Sequence, residues 1–306
     1  MKVAYVFPGQ GSQSVGMGQD LYDNFKSARD IFDRADEVVG FPLSRLCFDG
    51  PEDELRQTIN AQPAILTVSY ACLQAVREVN PGFPPPAFVA GHSLGEYTAL
   101  IVAGVVDFAT AVYLARERGR LMHETGTVRP GSMAAVMGLD EVSLSEVCRQ
   151  AGVHIVNINC PGQLVISGDR DNVARAMELA RDKGASRVIP LPVSAAFHSP
   201  LMRPAVDGMT EIISSLTFRE PAMPIIANTS ARPLTTAESV KAELLAQICS
   251  CVQWQSSIEY MASQGVTVFY EIGPGRVLTG LIKRINRAVT TLNIGDAGAV
   301  KSIAGT

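Results

Sequence analysis

Residues Ala87-Phe88-Val89-Ala90-Gly91-His92-Ser93-Leu94-Gly95 decide the fold. Ala87 to Ala90 is a short apolar strand. It runs straight into a G-x-S-x-G turn, and Ala-rich helices follow at 95–103 and 107–123, with Asp107 placed to cap the second. A strand, a tight glycine-flanked turn and a helix in immediate succession predict a serine lifted to the carboxyl edge of a parallel sheet.

The same alternation extends outward. Val3 to Phe7 is a continuous apolar run of strand length, which suits a strand buried on both faces, and it stops at Pro8-Gly9-Gln10-Gly11-Ser12-Gln13. Helices are predicted over 20–39 and, after Pro63, over 64–79, followed by a rigid loop at Asn80-Pro-Gly-Phe-Pro-Pro-Pro86. Strand–helix alternation predicts an α/β fold with a mainly parallel sheet and flanking helices, a hydrolase-like core.

The middle of the chain changes pattern. Strands at Ser132 to Met137, Val153 to Ile158, Leu164 to Ser167 and Arg187 to Val193 surround helices at 141–151 and 170–183, with a turn at Asn159-Cys160-Pro161-Gly162. The order βαββαβ predicts a ferredoxin-like subdomain, 127–195, inserted into a larger unit made of 1–126 and 196–306. Beyond it, helices are predicted at 201–215, 238–250, 254–264 and 276–287, with strands at Pro224 to Ala227 and Val266 to Ile272. The small, polar tail from Gly295 is expected to fray.

Composition narrows the function. Of 306 residues, 47% are hydrophobic and 18% charged, against roughly 25% charged in ordinary globular chains, so overall disorder is excluded. A net charge of -4 and a pI near 5.6 argue against nucleic-acid binding through phosphate neutralisation and against a polybasic membrane anchor. The six cysteines form no CxxC pair; Cys249 and Cys251 make a lone CxC without nearby His or Cys partners. They are expected to be free thiols in a reducing compartment, with no metal site. The apolar start is too short for a signal-peptide core, and Ala99 to Val106, interrupted by Gly104, falls far short of the roughly 20 residues that span a bilayer. A soluble, cytoplasmic protein is expected.

Ser93 needs a base, because an unaided hydroxyl is a weak nucleophile. The chain holds four histidines: His92, His123, His154 and His198. His92 sits on the turn, with its side chain expected to point away from Ser93. His123 closes a helix, where a cation suits the dipole. His154 lies in the insert without a distinctive neighbour. His198 follows Pro192-Val193-Ser194-Ala195-Ala196-Phe197 at the exit of a strand, and is either the base for Ser93 or an ordinary loop histidine. No histidine follows it, which weighs against an α/β-hydrolase, where the base comes late in the chain.

The Leu94 N–H is the natural first oxyanion donor, at a helix N-terminus that favours a developing anion. The Pro8 to Gln13 loop is neither a dinucleotide fingerprint nor a Walker loop. It lies where α/β ligand sites lie and can supply a second donor. Arg118, in Arg116-Glu117-Arg118-Gly119-Arg120, is either solvated or a bidentate clamp for a carboxylate; spacing does not choose among the three arginines.

Together these residues resemble the malonyl-CoA:acyl carrier protein transacylases and, more broadly, the acyltransferase domains of fatty-acid and polyketide synthases. The motifs are Val6-Phe-Pro-Gly-Gln-Gly-Ser-Gln13, Gln62-Pro63-Ala64, Gly91-His-Ser-Leu-Gly-Glu-Tyr97, Arg118-Gly119, Asn159-Cys-Pro-Gly-Gln163, Phe197-His198, Gln247 and Glu271-Ile-Gly-Pro-Gly275, running essentially end to end. One departure is Cys160, where relatives often have Ser; it implies a tuning effect.

The resemblance implies that Ser93 forms an acyl ester and that His198 is its base, oriented by a backbone carbonyl at Gln247. It implies an oxyanion hole from the N–H groups of Gln10 and Leu94. Arg118 would pair with the malonyl carboxylate, and Phe197 would select malonyl over methylmalonyl. The insert corresponds to the family's small subdomain over the cleft. The implied activity is ping-pong transfer of malonyl from malonyl-CoA to a carrier-protein thiol in fatty-acid biosynthesis, by a monomer without a cofactor. An acidic carrier protein requires a basic face, for which Lys283, Arg284 and Arg287 on the last helix are candidates, as is Arg203. The competing functions are a serine hydrolase such as a thioesterase, a polyketide acyltransferase, and a non-catalytic acyl-binding protein.

Overall fold

A computed structural model describes residues 2–193 and 195–303. The strands are β1 (Val3–Phe7), β2 (Phe88–Gly91), β3 (Gly131–Met137), β4 (His154–Cys160), β5 (Gln163–Asp169), β6 (Arg187–Pro190), β7 (Ile225–Ile226), β8 (Pro233–Leu234), β9 (Val268–Ile272) and β10 (Thr290–Ile294). The helices are α1 (Gln19–Asn24), α2 (Lys26–Val39), α3 (Leu43–Asp49), α4 (Glu52–Arg56), α5 (Thr58–Val79), α6 (Gly95–Val102), α7 (Phe108–Val128), α8 (Glu141–Ala151), α9 (Arg170–Asp182), α10 (Arg203–Ser215), α11 (Ala237–Gln247), α12 (Trp254–Ser263), α13 (Val277–Ile285) and α14 (Ala297–Ile303).

Six strands form one sheet in the order β10-β9-β1-β2-β7-β8, parallel except for the short β8. β1 is buried along its whole length, and its period-2 alternation feeds two cores. Val3, Tyr5 and Phe7 face the α2, α5 and α7 side, whereas Ala4 and Val6 face Trp254, Ile258 and Leu278.

The other four strands form an antiparallel sheet, β4-β5-β3-β6, whose connection β3-α8-β4-β5-α9-β6 is the ferredoxin-like order. Alternation again divides its faces. Ala134 and Val136 pack with Leu144, Val147 and Val173 of α8 and α9. Met133, Ala135, Asn157 and Val165 turn the other way and roof a cavity over the large sheet. Val252 ties the two sheets together, accepting from Ile158 N–H and donating to Val156 O, both at 2.9 Å.

Several local expectations change. The helix expected at 20–39 breaks at Phe25, whose backbone is extended. The helix expected from Ala64 begins at Thr58, with Pro63 inside it. Proline lacks the N–H that would bond Ile59 O, and Arg116 Nη1 donates to that carbonyl instead at 2.9 Å. The tail does not fray over its described part. Thr290–Ile294 pairs with β9, and α14 follows, its Ala297 N–H donating to Asp20 Oδ2 at 2.6 Å. Residues 304–306 lie outside the described residues, as does Ser194. Arg287 stands beyond α13, which ends at Ile285, and α13 is not the last helix.

Candidate active site

Four loops meet where parallel strands end: Pro8 to Gln13 after β1, Gly91 to Gly95 after β2, Asn228 after β7, and Gly273 to Gly275 after β9. The turn after β2 tolerates no side chain at its glycines. A Cβ on Gly91 would lie 1.8 Å from the Gly95 carbonyl carbon, and one on Gly95 would lie 2.1 Å from Phe7 O. This close approach holds Ser93 at φ 51° at the start of α6.

Ser93 Oγ lies 2.7 Å from His198 Nε2, and His198 Nδ1 lies 2.7 Å from the main-chain oxygen of Gln247. A carbonyl only accepts, so Nδ1 carries the proton and Nε2 is left as an acceptor for the serine hydroxyl. Burial, followed by the nearby Arg118 cation, pulls the His198 pKa down to about 3. The imidazole is therefore neutral at ordinary pH, the form a general base requires.

Arg118 resolves the choice among the three arginines. It is 1% exposed on α7 and donates from Nη1 to Gln62 Oε1 (2.7 Å) and from Nη2 to Gln247 Oε1 (2.6 Å) and Ser93 Oγ (3.1 Å). Its guanidinium also faces the Tyr97 ring at 5.5 Å. Arg116 is spent on Ile59 O and Asn60, and Arg120 pairs with Glu117 and Glu124. Gln62 Nε2 donates to Thr58 Oγ1, which donates to Gln10 Oε1, both at 2.8 Å, so a polar chain joins Arg118 to the loop after β1.

Phe197, Gln10, Met122, Met133, Asn157 and Gln163 are among the residues lining a cavity of about 400 Å³ that holds Ser93, Arg118 and His198. Leu94 is buried directly after Ser93. His92 does not bond the serine hydroxyl; it is half-buried, bonded to Asn159 Oδ1 at 2.9 Å and set against Trp254, and desolvation lowers its pKa. His123 and His154 are exposed and outside this cavity. Cys160 is buried, with its Sγ 3.8 Å from Gln163 Oε1.

Two residues escaped the sequence reading. Asn228 accepts from Ser93 N–H through Oδ1 and donates through Nδ2 to Gly91 O, both at 2.7 Å, so one amide staples the turn from both sides. Its only signal was a polar residue just past a strand at the sheet's carboxyl edge. Glu96 is fully buried beneath the turn; it lay inside a quoted motif without a role.

A serine–imidazole pair beside a buried guanidinium suits acyl transfer from a substrate that carries a negative charge. Residues 4–303 match the family model described as the acyl transferase domain. The chain belongs to the acyl transferase family. The malonyl CoA-acyl carrier protein transacylase of Bacillus subtilis strain 168 is 44% identical over 305 residues, covering 98% of this chain and 95% of the relative. The protein of the same name from Escherichia coli strain K12 is 42% identical over 301 residues, covering 97% of each. The acyl-carrier-protein S-malonyltransferase of Bartonella henselae superposes with a TM-score of 0.95 at 40% identity over 100% of both chains. PlMCAT, a malonyl-transacylase solved with the type II PKS acyl-carrier protein AntF, superposes with a TM-score of 0.96 at 38% identity, covering 100% of this chain and 99% of that one. Among the described residues of this acyltransferase, no helix is long and apolar enough to cross a membrane, and no group of His, Cys, Asp or Glu could hold a metal ion.

Proposed function

We propose that this acyltransferase moves a malonyl group from malonyl-CoA to the phosphopantetheine thiol of an acyl carrier protein, in fatty-acid biosynthesis. The observation that carries this reading is the sharing of one hydroxyl: Ser93 Oγ is held by His198 Nε2 at 2.7 Å and by Arg118 Nη2 at 3.1 Å.

In the first half-reaction His198 takes the Ser93 proton as Oγ attacks the thioester carbon. The N–H groups of Gln10 and Leu94 receive the oxyanion, and the tetrahedral intermediate collapses as CoA leaves with the proton from His198. In the second half-reaction His198 deprotonates the carrier thiol, which attacks the malonyl-Ser93 ester, and Ser93 regains its proton. The kinetics are ping-pong. No step needs a cofactor. Arg118 takes the malonyl carboxylate, and the Phe197 ring restricts a substituent on the carbon between the two carbonyls.

Residues 127–195 act as a subdomain over the cleft, with 1–126 and 196–306 as the catalytic body. The enzyme works as a cytoplasmic monomer, a setting consistent with its six free cysteines. The carrier protein docks near α13. Lys283 and Arg287 are both exposed there, whereas Arg284 donates to Gln163 Oε1 (2.6 Å) and Pro161 O (3.2 Å) and so joins α13 to the antiparallel sheet. Arg203 is paired with Asp207.

Brief exposure to malonyl-CoA, followed by peptide mass mapping, should find malonyl on Ser93. Adding carrier protein should move the label to the carrier thiol. Release of the label to water would make the protein a hydrolase instead, and absence of acyl-Ser93 would make it a binding protein.

A further inference from the structure

The carboxyl of Glu96 is completely buried and lies directly beneath the nucleophile turn. Its Oε1 accepts from Asn228 N–H and Asn228 Nδ2, both at 3.0 Å, and its Oε2 accepts from Gln247 Nε2 at 2.6 Å. The proton directions in this cluster follow from two groups that can only donate. Arg118 has no acceptor atom, so the Gln247 end facing its Nη2 must be oxygen. Ser93 N–H has none either, so the Asn228 end facing it must be oxygen. Both amide nitrogens are thereby turned toward Glu96, and the remaining Gln247 Nε2 hydrogen goes to Ser93 O at 3.0 Å. Burial, and then the nearby Glu243, push the Glu96 pKa up, while the Asn228 and Gln247 donors pull against that rise. As a carboxylate, Glu96 accepts at every one of these positions.

We propose that Glu96 is a positioning residue for the carboxylate site: it orients the Gln247 amide so that oxygen faces Arg118, and it balances the guanidinium charge through that amide rather than by direct contact. The inference rests on the reading of Arg118 as the malonyl clamp. An arginine buried with no counter-charge is costly, whereas one in direct contact with a protein carboxylate has its fork occupied. An intervening amide avoids both conditions and leaves the cation available to a substrate carboxylate.

Glu96→Gln tests the orientation at nearly constant shape. The replacement amide keeps its oxygen on the two Asn228 donors, so its nitrogen meets Gln247 Nε2 and the Gln247 amide must turn. That puts an NH₂ group against Arg118 and removes one of its acceptors. The KM for malonyl-CoA in Ser93 loading should then rise about fivefold or more relative to the KM for acetyl-CoA, which carries no carboxylate. The swap Glu96→Gln/Gln247→Glu should recover part of the thermal midpoint, because the amide introduced at position 96 donates to the carboxylate introduced at position 247, although Ser93 O loses the donor it had from Gln247. It should not recover the malonyl KM, because that relocated carboxylate pairs with Arg118 directly. Equal effects of Glu96→Gln on both acyl donors, or full recovery of malonyl loading in the swap, would overturn the inference. Arg118→Ala measured alongside separates the two layers. If it impairs malonyl and acetyl loading equally, the clamp itself falls; if it impairs malonyl alone while Glu96→Gln matches the wild type, only the role of Glu96 falls.

Discussion

Ser93 and His198, 105 positions apart, both hold left-handed backbone, with φ of 51° and 59°, and their side chains meet at 2.7 Å. Ala231 is the other non-glycine residue with positive φ among those described. For a residue with a Cβ this conformation costs about 1–3 kcal/mol and persists where the surroundings impose it. Here the surroundings are identifiable: Asn228 grips both sides of the Ser93 turn, and Gln247 O fixes the His198 ring.

Removing the hydroxyl separates this strain from function. Ser93→Ala and Ser93→Gly should both abolish acyl loading. The glycine variant should be the more stable of the two by about 1 kcal/mol, because glycine meets no Cβ penalty at φ 51°. Urea unfolding of the pair checks this, and a more stable alanine variant would show that the turn is relaxed.

The His198 pKa, drawn down to about 3 by burial and then by Arg118, sets the pH profile. A depressed pKa keeps the base neutral as pH falls, so Ser93 acylation should stay level from about pH 8 to about pH 5 instead of declining below about 6.5. Arg118→Met removes the neighbouring cation and should move the acid limb upward. Rapid-quench acetyl loading across pH, in both proteins, reports the two limbs.

Truncating Arg118, the proposed clamp, should discriminate between acyl donors. A buried guanidinium–carboxylate contact is worth about 2–5 kcal/mol when one partner is removed. Arg118→Ala should therefore strongly depress malonyl loading and largely spare acetyl loading. Steady-state constants for the two CoA esters measure the difference.

Charge reversal at Lys283 should raise the KM for the carrier protein and leave that for malonyl-CoA alone, with a salt dependence that weakens in the variant. Arg284→Glu should do more, because it also cuts the bonds to Gln163 and Pro161 at the mouth of the cleft. Equal constants for Lys283→Glu and wild type would move the docking face elsewhere.

Glu271 accepts from the N–H groups of Leu278 (2.9 Å) and Thr279 (2.7 Å) and so ties the start of α13 to the end of β9. Glu271→Ala leaves those buried donors unmatched and should cost about 1–3 kcal/mol, read as a lower midpoint in thermal melting.

Local pattern alone was enough for the strand–turn–helix at Ala87 to Gly95, the apolar β1 and the βαββαβ succession, because period-2 runs, glycine turns and helix caps act over a few residues. Motif resemblance added Arg118, Gln247 and Phe197. Local spacing could not separate Arg118 from Arg116 and Arg120, and the fold supplies the physical difference, since all three lie on one helix and differ in what the rest of the chain brings to them. Folding also had to carry Asn228 to the turn after β2, to let Arg116 fill the hydrogen bond that Pro63 leaves open, and to order the tail against Asp20. Glu96 shows the same division. Its place in the motif was visible, but its purpose depends on Asn228 and Gln247, 132 and 151 residues away, whose donors converge on it only in the folded chain.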